Sequence, residues 1–222
     1  MGILSLVILA PIVAGIALLL LPIRNHGLSR AIGIGLSAGV LLLTALLKSR
    51  LDGGAGGLQL IESAPWIARL GVGYRVGVDT MATWLIVLAA ALGLGANALS
   101  VYVHERPRTF AGLVLLLTGA MIGAFSSTDL LLFFVFFELT LIPMFLLIAV
   151  WGQAGRMRAA SKFLIYTFGG SIFMLVGMIA LAMRYQEVTG SMSFSVVELQ
   201  RSAASGALWA GHVGLENLIF WS

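Results

Sequence analysis

The chain contains no cysteine. Disulfides, thiolate zinc sites and cysteine-ligated iron–sulfur clusters are therefore excluded from it, together with the redox chemistry those centres carry. Charge is the second scarcity: 10% of the 222 residues are charged and 60% are hydrophobic, whereas an ordinary soluble domain carries roughly 25% charged residues. A mean hydropathy of +1.06 assigns the chain to a lipid bilayer. The 13 basic and 9 acidic residues leave a net charge of +4. In a soluble protein that excess would suggest a nucleic-acid surface. Here the charges fall in short clusters between apolar stretches, so they report orientation in a membrane, and no nucleic-acid partner is expected.

Long apolar runs are what the sequence has in abundance. The first, Ile3–Leu21, is close to the roughly 20 residues that cross a hydrocarbon core of about 30 Å. No basic residue precedes it and no Ala-x-Ala site follows it, which predicts a retained span and not a cleaved signal peptide. Further runs cover approximately residues 28–47, 78–103, 110–125, 130–150 and 159–183, and a seventh begins near 215 and is incomplete at 222. The expected fold is all-α, a polytopic transmembrane helix bundle of six complete spans plus the start of a seventh, within a single membrane domain over residues 1–222.

The connections alternate between two sides. One side carries Arg24, Arg30, Arg106, Arg108, Arg156, Arg158 and Lys162, with Glu105 as its one acid. The other mixes Lys48, Arg50, Arg69 and Arg75 with Asp52, Glu62 and Asp79, and its tight turn at Ser126–Asp129 has no base. The positive-inside rule puts the first set in the cytoplasm and the N-terminus outside. On the outer side, Pro65, Gly71, Gly73 and Gly77 break residues 58–78 into short half-apolar pieces, consistent with strands, a hairpin or a plain connector. Ser195 and Glu198 have capping-box spacing for a short amphipathic helix.

Several motifs carry little. Gly93-x-Gly95-x-x-Ala98 imitates a dinucleotide fingerprint but lies inside an apolar span, not between a strand and a helix. Gly35 and Gly39, and likewise Gly169, Gly170 and Gly177, are expected to let neighbouring helices approach closely. His26, His104 and His212 all lie outside the apolar cores, so no haem held between helices by paired histidines is expected, and no metal site either.

The informative residue is Glu138, inside the run Leu130–Pro143. By helical rise it lies roughly 12 Å from one end of its span and roughly 18 Å from the other, near the bilayer midplane. An acid at a helix centre costs about 3 kcal/mol to insert, so an ionisable group there is by default a functional residue. Pro143 has no N–H for the carbonyl of Leu139, one residue from Glu138, and the two polar features together can hold water. Lys162, with Tyr166 and Thr167 one turn on, is the best-placed cation. It should stand about 13 Å from Glu138 in depth, too far for an ion pair but within reach of a water-linked relay past Tyr166; the alternative is that Lys162 snorkels to the headgroups.

The ordered series Asp129-Leu-Leu-Leu-Phe-Phe-Val-Phe-Phe-Glu138-Leu-Thr-Leu-Ile-Pro143, running on to Trp151-Gly152 and followed by Arg158-Ala-Ala-Ser-Lys162-Phe-Leu-Ile-Tyr166-Thr167 and Gly170-Ser171, resembles the antiporter-like proton-pumping subunits of respiratory complex I. It is most similar to their chain M branch, the relatives of mitochondrial subunit 4. Weaker agreement extends to Gly77-Val78-Asp79 and Glu216-Asn217-Leu218. The resemblance implies a non-redox, proton-translocating subunit of a translocating NADH:quinone oxidoreductase, with Glu138 as the fifth-helix glutamate of the proton path and Lys162 as the sixth-helix lysine. The family's partner lysine on the seventh helix is expected beyond Ser222. The resemblance further implies no cofactor on this chain, with NADH, FMN, iron–sulfur clusters and quinone held elsewhere in the complex. The implied partners are the other membrane subunits, neighbouring antiporter-like subunits included, and the implied location is a bacterial inner membrane rather than a mitochondrial one. The alternatives are the large subunit of a multisubunit sodium/proton antiporter, the membrane arm of an energy-converting hydrogenase, or a purely structural membrane subunit.

Overall fold

The computed structural model describes residues 2–22, 25–51, 57–67, 71–206 and 208. The seventh apolar run, along with Arg24, Asp52, Arg69, His212 and Glu216, lies outside the described residues.

Among the described residues, six helices are long and apolar enough to cross a membrane. They are α1 (Ile3–Leu20), α2 (His26–Ser49), α3 (Thr80–Ala98, extended by a 3-10 turn to Tyr102), α4 (Pro107–Ser126), α5 (Leu130–Trp151) and α6 (Arg156–Thr189). A two-stranded antiparallel hairpin, β1 (Gln59–Ile67) and β2 (Val72–Val78), joins α2 to α3, and a short helix, α7 (Val196–Ala204), follows α6. Segments 59–67 and 72–78 thus pair as a hairpin and are not a plain connector.

Helix ends depart from the apolar limits for local reasons. Asn25 caps α2 through hydrogen bonds from the Gly27 and Leu28 amides at 2.9 and 3.2 Å. Asp79 caps α3 by accepting from Ala82 N at 2.6 Å. Helix α6 runs past Met183 because Arg184 and Glu187 are paired at 2.8 Å one turn apart, and it stops at Gly190, whose φ of 79° is the left-handed conformation that glycine adopts without penalty.

Helix α4 is the most enclosed span and packs against α1, α2, α3 and α5, whereas α6 is the least enclosed and leans mainly on α5. Small residues set the α1–α4 distance. A Cβ on Gly15 would lie 2.7 Å from the Gly112 carbonyl, and one on Gly119 would lie 2.5 Å from Ile12 Cγ1. Four of the five glycines expected to serve close approach do not: among the described residues, a Cβ on Gly35, Gly39, Gly169 or Gly170 would meet nothing within 4 Å, while Gly177 is buried. Spacing alone does not say which side of a helix meets a neighbour, and these four point away from the bundle. Gly15→Val is expected to force α1 from α4 and cost about 1–3 kcal/mol, read as a lower melting temperature of the solubilised protein.

The ends of the bundle differ in chemistry. At the arginine-rich end, Arg30 donates to the Val103 carbonyl at 2.7 Å, Arg108 donates to the Leu21 carbonyl, and Trp151 Nε1 donates to the Glu105 carbonyl at 2.9 Å. At the opposite end, the hairpin is bonded into the helix ends. Thr128 N donates to the Arg75 carbonyl, Leu130 N to the Phe194 carbonyl and Val196 N to the Thr128 carbonyl, each at 2.9 Å. Segments 127–129 and 193–196 therefore continue the hairpin as strand-like backbone. This also corrects the capping-box expectation: Ser195 is the N-cap of α7, but its side chain makes no capping bond, because its segment is held by backbone pairing to Thr128 and Asp129.

Helix α1 has no side-chain cap of its own and takes one from the hairpin. Glu62 accepts from Gly2 N (3.0 Å), Leu4 N (2.8 Å), Ser5 N (3.3 Å) and Ser5 Oγ (2.6 Å), and Ser5 Oγ also meets Tyr74 Oη at 2.9 Å. Burial pushes the Glu62 carboxyl up, yet the Ser5 hydroxyl and the three amides together outweigh it and hold the group below its ordinary value. Burial first, then the Glu62 charge, raises the Tyr74 phenol against the opposing bond from Ser5. A carboxyl depressed in the folded state stabilises that state above its unfolded pKa, and the contribution is lost as pH falls through the folded value. Amide exchange at Leu4 and Ser5, corrected for intrinsic rates, should therefore accelerate in acid below the ordinary carboxylate range. Glu62→Ala should remove that pH dependence and cost about 1 kcal/mol or less, given partial solvation of the carboxylate.

Candidate functional site

Helix α5 runs unbroken from Leu130 to Trp151 with Pro143 inside it. Its start is fixed by Asp129, which is fully buried and accepts from Leu131 N and Leu132 N at 3.1 and 3.3 Å. The other carboxylate oxygen accepts from Gly73 N at 3.2 Å and lies 3.7 Å from Arg75 Nη1. One acid thus joins the start of α5 to strand β2 and sets the depth of every residue after it. Its role was not visible in the sequence, where Asp129 looks like an ordinary turn residue.

Nine residues into this helix, Glu138 lies about 12 Å from its start. Phe136 packs on α4 where Gly123 leaves room, since a Cβ on Gly123 would fall 2.4 Å from the Phe136 ring, and Leu139 joins the same core. Val135 and Ile142, one turn to either side of Glu138, are 40% and 57% exposed. Glu138 therefore lies at the margin between the packed side of α5 and its uncovered stripe. One carboxyl oxygen, Oε1, is nevertheless buried and has no hydrogen-bond partner among the described residues. Pro143 is buried one turn further on. Because it cannot donate to the Leu139 carbonyl, an acceptor is freed next to the carboxyl.

Lys162 and Tyr166 are one turn apart on α6, and both are exposed. Tyr166, at 76% exposed, belongs to a stripe with Ile165, Phe173 and Val176 that no described residue covers. Helix α6 begins at Arg156, a turn before the apolar limit, so Lys162 is about 9 Å from its start. Glu138 is about 20 Å from the facing end of α5. The two charges thus remain on the order of 10 Å apart along the helix axes, and among the described residues neither forms an ion pair. Thr167 is occupied by its own helix, donating to the Phe163 carbonyl at 2.8 Å. The structure places Glu138 and Pro143 together on α5, and Lys162 and Tyr166 together on α6, without joining the two sets. Among the described residues no group of three or more His, Asp or Glu side chains is placed to hold a metal ion.

Among the described residues, six apolar helices with an acid set inside the fifth make this a multi-pass membrane chain. Residues 127–221 match the model of the NADH:quinone oxidoreductase/Mrp antiporter transmembrane family, and the chain is similar to proteins named NAD(P)H-quinone oxidoreductase chain 4. It is 39% identical over 184 residues to chain 4 1 of Picosynechococcus sp., covering 82% of this chain and 34% of that relative. It is 37% identical over 198 residues to chain 4 2 of Microcystis aeruginosa, covering 88% and 35%. The chain thus spans about a third of the length of these curated relatives. Among solved structures, respiratory complex I from Thermus thermophilus with bound NADH superposes with a TM-score of 0.72 at 32% identity, covering 89% of this chain and 39% of that one. The Mrp complex from Dietzia sp. superposes with a TM-score of 0.77 over 97% of this chain and 22% of that one, but at 20% identity it shares the fold alone.

Proposed function

We propose that this chain is the N-terminal part of a proton-translocating, non-redox membrane subunit of an NADH:quinone oxidoreductase, and that Glu138 takes up and releases the translocated proton. The observation that carries the reading is the carboxyl near the middle of α5 with one oxygen buried and unpartnered. An ionisable group so placed is sensitive to its surroundings: a charge arriving nearby, or a change in local hydration, alters the free energy of its ionised form by kcal/mol. Pro143 supports the site by freeing the Leu139 carbonyl to hold water beside the carboxyl. Lys162 serves as the cationic member of the path, linked through water past Tyr166. The sequence relatedness to oxidoreductase chain 4, against likeness in fold alone to the Mrp complex, favours the oxidoreductase over the antiporter.

In this reading the arginine-rich end faces the cytoplasm and the hairpin end faces outward across a bacterial inner membrane, by the positive-inside rule. Residues 1–222 form one membrane unit. Its partners are further membrane subunits, antiporter-like ones among them, while NADH, FMN, iron–sulfur clusters and quinone reside on other chains. The test compares two variants of the full-length subunit in its complex. Glu138→Gln should leave assembly intact and abolish coupled quinone reduction. Intact coupled turnover in Glu138→Gln, with a loss of assembled complex in Glu138→Ala, would instead make Glu138 a structural hydrogen-bonding group.

A further inference from the structure

Helices α2 and α3 are antiparallel and tied at two levels. Inside the membrane, Asn97 Nδ2 donates to Ser37 Oγ at 2.7 Å; at the arginine-rich end, Arg30 Nη2 donates to the Val103 carbonyl at 2.7 Å. Asn97 and Val103 are separated by about 10 Å of α3 and its 3-10 extension. Three polar atoms associated with this interval are buried without a partner among the described residues: Asn97 Oδ1, Ser100 Oγ and Arg30 Nε. Asn97 and Ser100 are 0% and 1% exposed. On the α2 side, Gly33 presents bare backbone: a Cβ there would be 3.8 Å from Asn97 Oδ1 and only 2.6 Å from Ala111 Cβ of α4, which closes the third side.

A buried polar group left unpaired is costly, and three together at one helix interface require a common answer. Their chemistry says what it is. The amide oxygen only accepts, the guanidinium Nε–H only donates, and the hydroxyl does either. An anion would satisfy Arg30 and be repelled by the Asn97 oxygen, while a cation would do the reverse. A small neutral molecule that donates and accepts at once satisfies all three. We propose that α2, α3 and α4 enclose a water-binding site reaching from Arg30 to the Asn97–Ser37 bond, in which bound water completes the polar contact that holds α2 to α3. The site is separate from Glu138, because α4 packs between α3 and α5.

The full-length protein in its complex, imaged by cryo-electron microscopy at a resolution that shows ordered water, tests this directly. Density for at least one water within hydrogen-bond distance of Asn97 Oδ1 and Ser100 Oγ is the expected result; direct protein partners for these atoms, a non-water ligand or a dry interface would overturn the proposal.

Discussion

Asp129→Ala is expected to destabilise the helix bundle by about 3 kcal/mol. The side chain is fully buried and answers two α5 amides, the Gly73 amide and the Arg75 guanidinium. Loss of a helix cap accounts for about 0.5–2 kcal/mol. The remainder comes from leaving the Gly73 amide and a half-buried arginine without their acceptor. Asp129→Asn keeps an oxygen for the Leu131 and Leu132 amides but sets an amide NH2, a donor, against the Gly73 N–H and the Arg75 guanidinium, so it should spare the cap and still cost about half as much or more. Thermal unfolding of the solubilised complex checks the magnitude, and faster amide exchange at Leu131 and Leu132 locates it. Equal effects of alanine at Asp129 and at an exposed acid such as Glu105 would show that the buried carboxylate does not anchor α5.

The other large effect falls on function. Glu138→Gln keeps the shape of the side chain and its capacity for hydrogen bonds but removes its ability to ionise. If the group carries a proton in turnover, coupled quinone reduction should fall at least tenfold while the melting temperature moves little, because the unpartnered oxygen contributes no hydrogen bond to be lost. Glu138→Asp retains the titrating group on a shorter stem and should recover part of the activity. Glu138→Ala opens a void at the margin of α5 and should reduce both activity and assembly. Turnover higher in the Asp variant than in the Gln variant, with the two alike in assembly, separates a titrating role from a packing one.

Much of this architecture was legible in the residues because lipid makes composition speak plainly. An apolar run of about 20 residues has few alternatives to a spanning helix, and an acid inside such a run is out of place on energetic grounds alone. Glu138 was therefore visible. Asp129 and Glu62 were not, although they make more contacts than Glu138 does. Their partners lie 56 to 60 residues away, at Gly73 and at Gly2 respectively, and only folding brings those amides to them. The same limit explains the glycines. Gly35 and Gly39 have the spacing of a close-packing motif, yet the contacts are made by Gly15, Gly112 and Gly119, because spacing fixes a face without saying what it meets. Proline and glycine punctuation between residues 58 and 78 fitted strands, a hairpin or a plain connector alike, and the bonding of the hairpin to segments 127–129 and 193–196 depends on backbone pairing that no side-chain pattern encodes.

Proton uptake by proteoliposomes carrying the intact complex, followed with a pH-sensitive dye during quinone reduction, bears most directly on the central claim. Glu138→Gln complex assembled to the wild-type level should build no proton gradient where wild-type complex builds a full one. A full gradient from the glutamine variant would contradict the assignment of the proton path to Glu138.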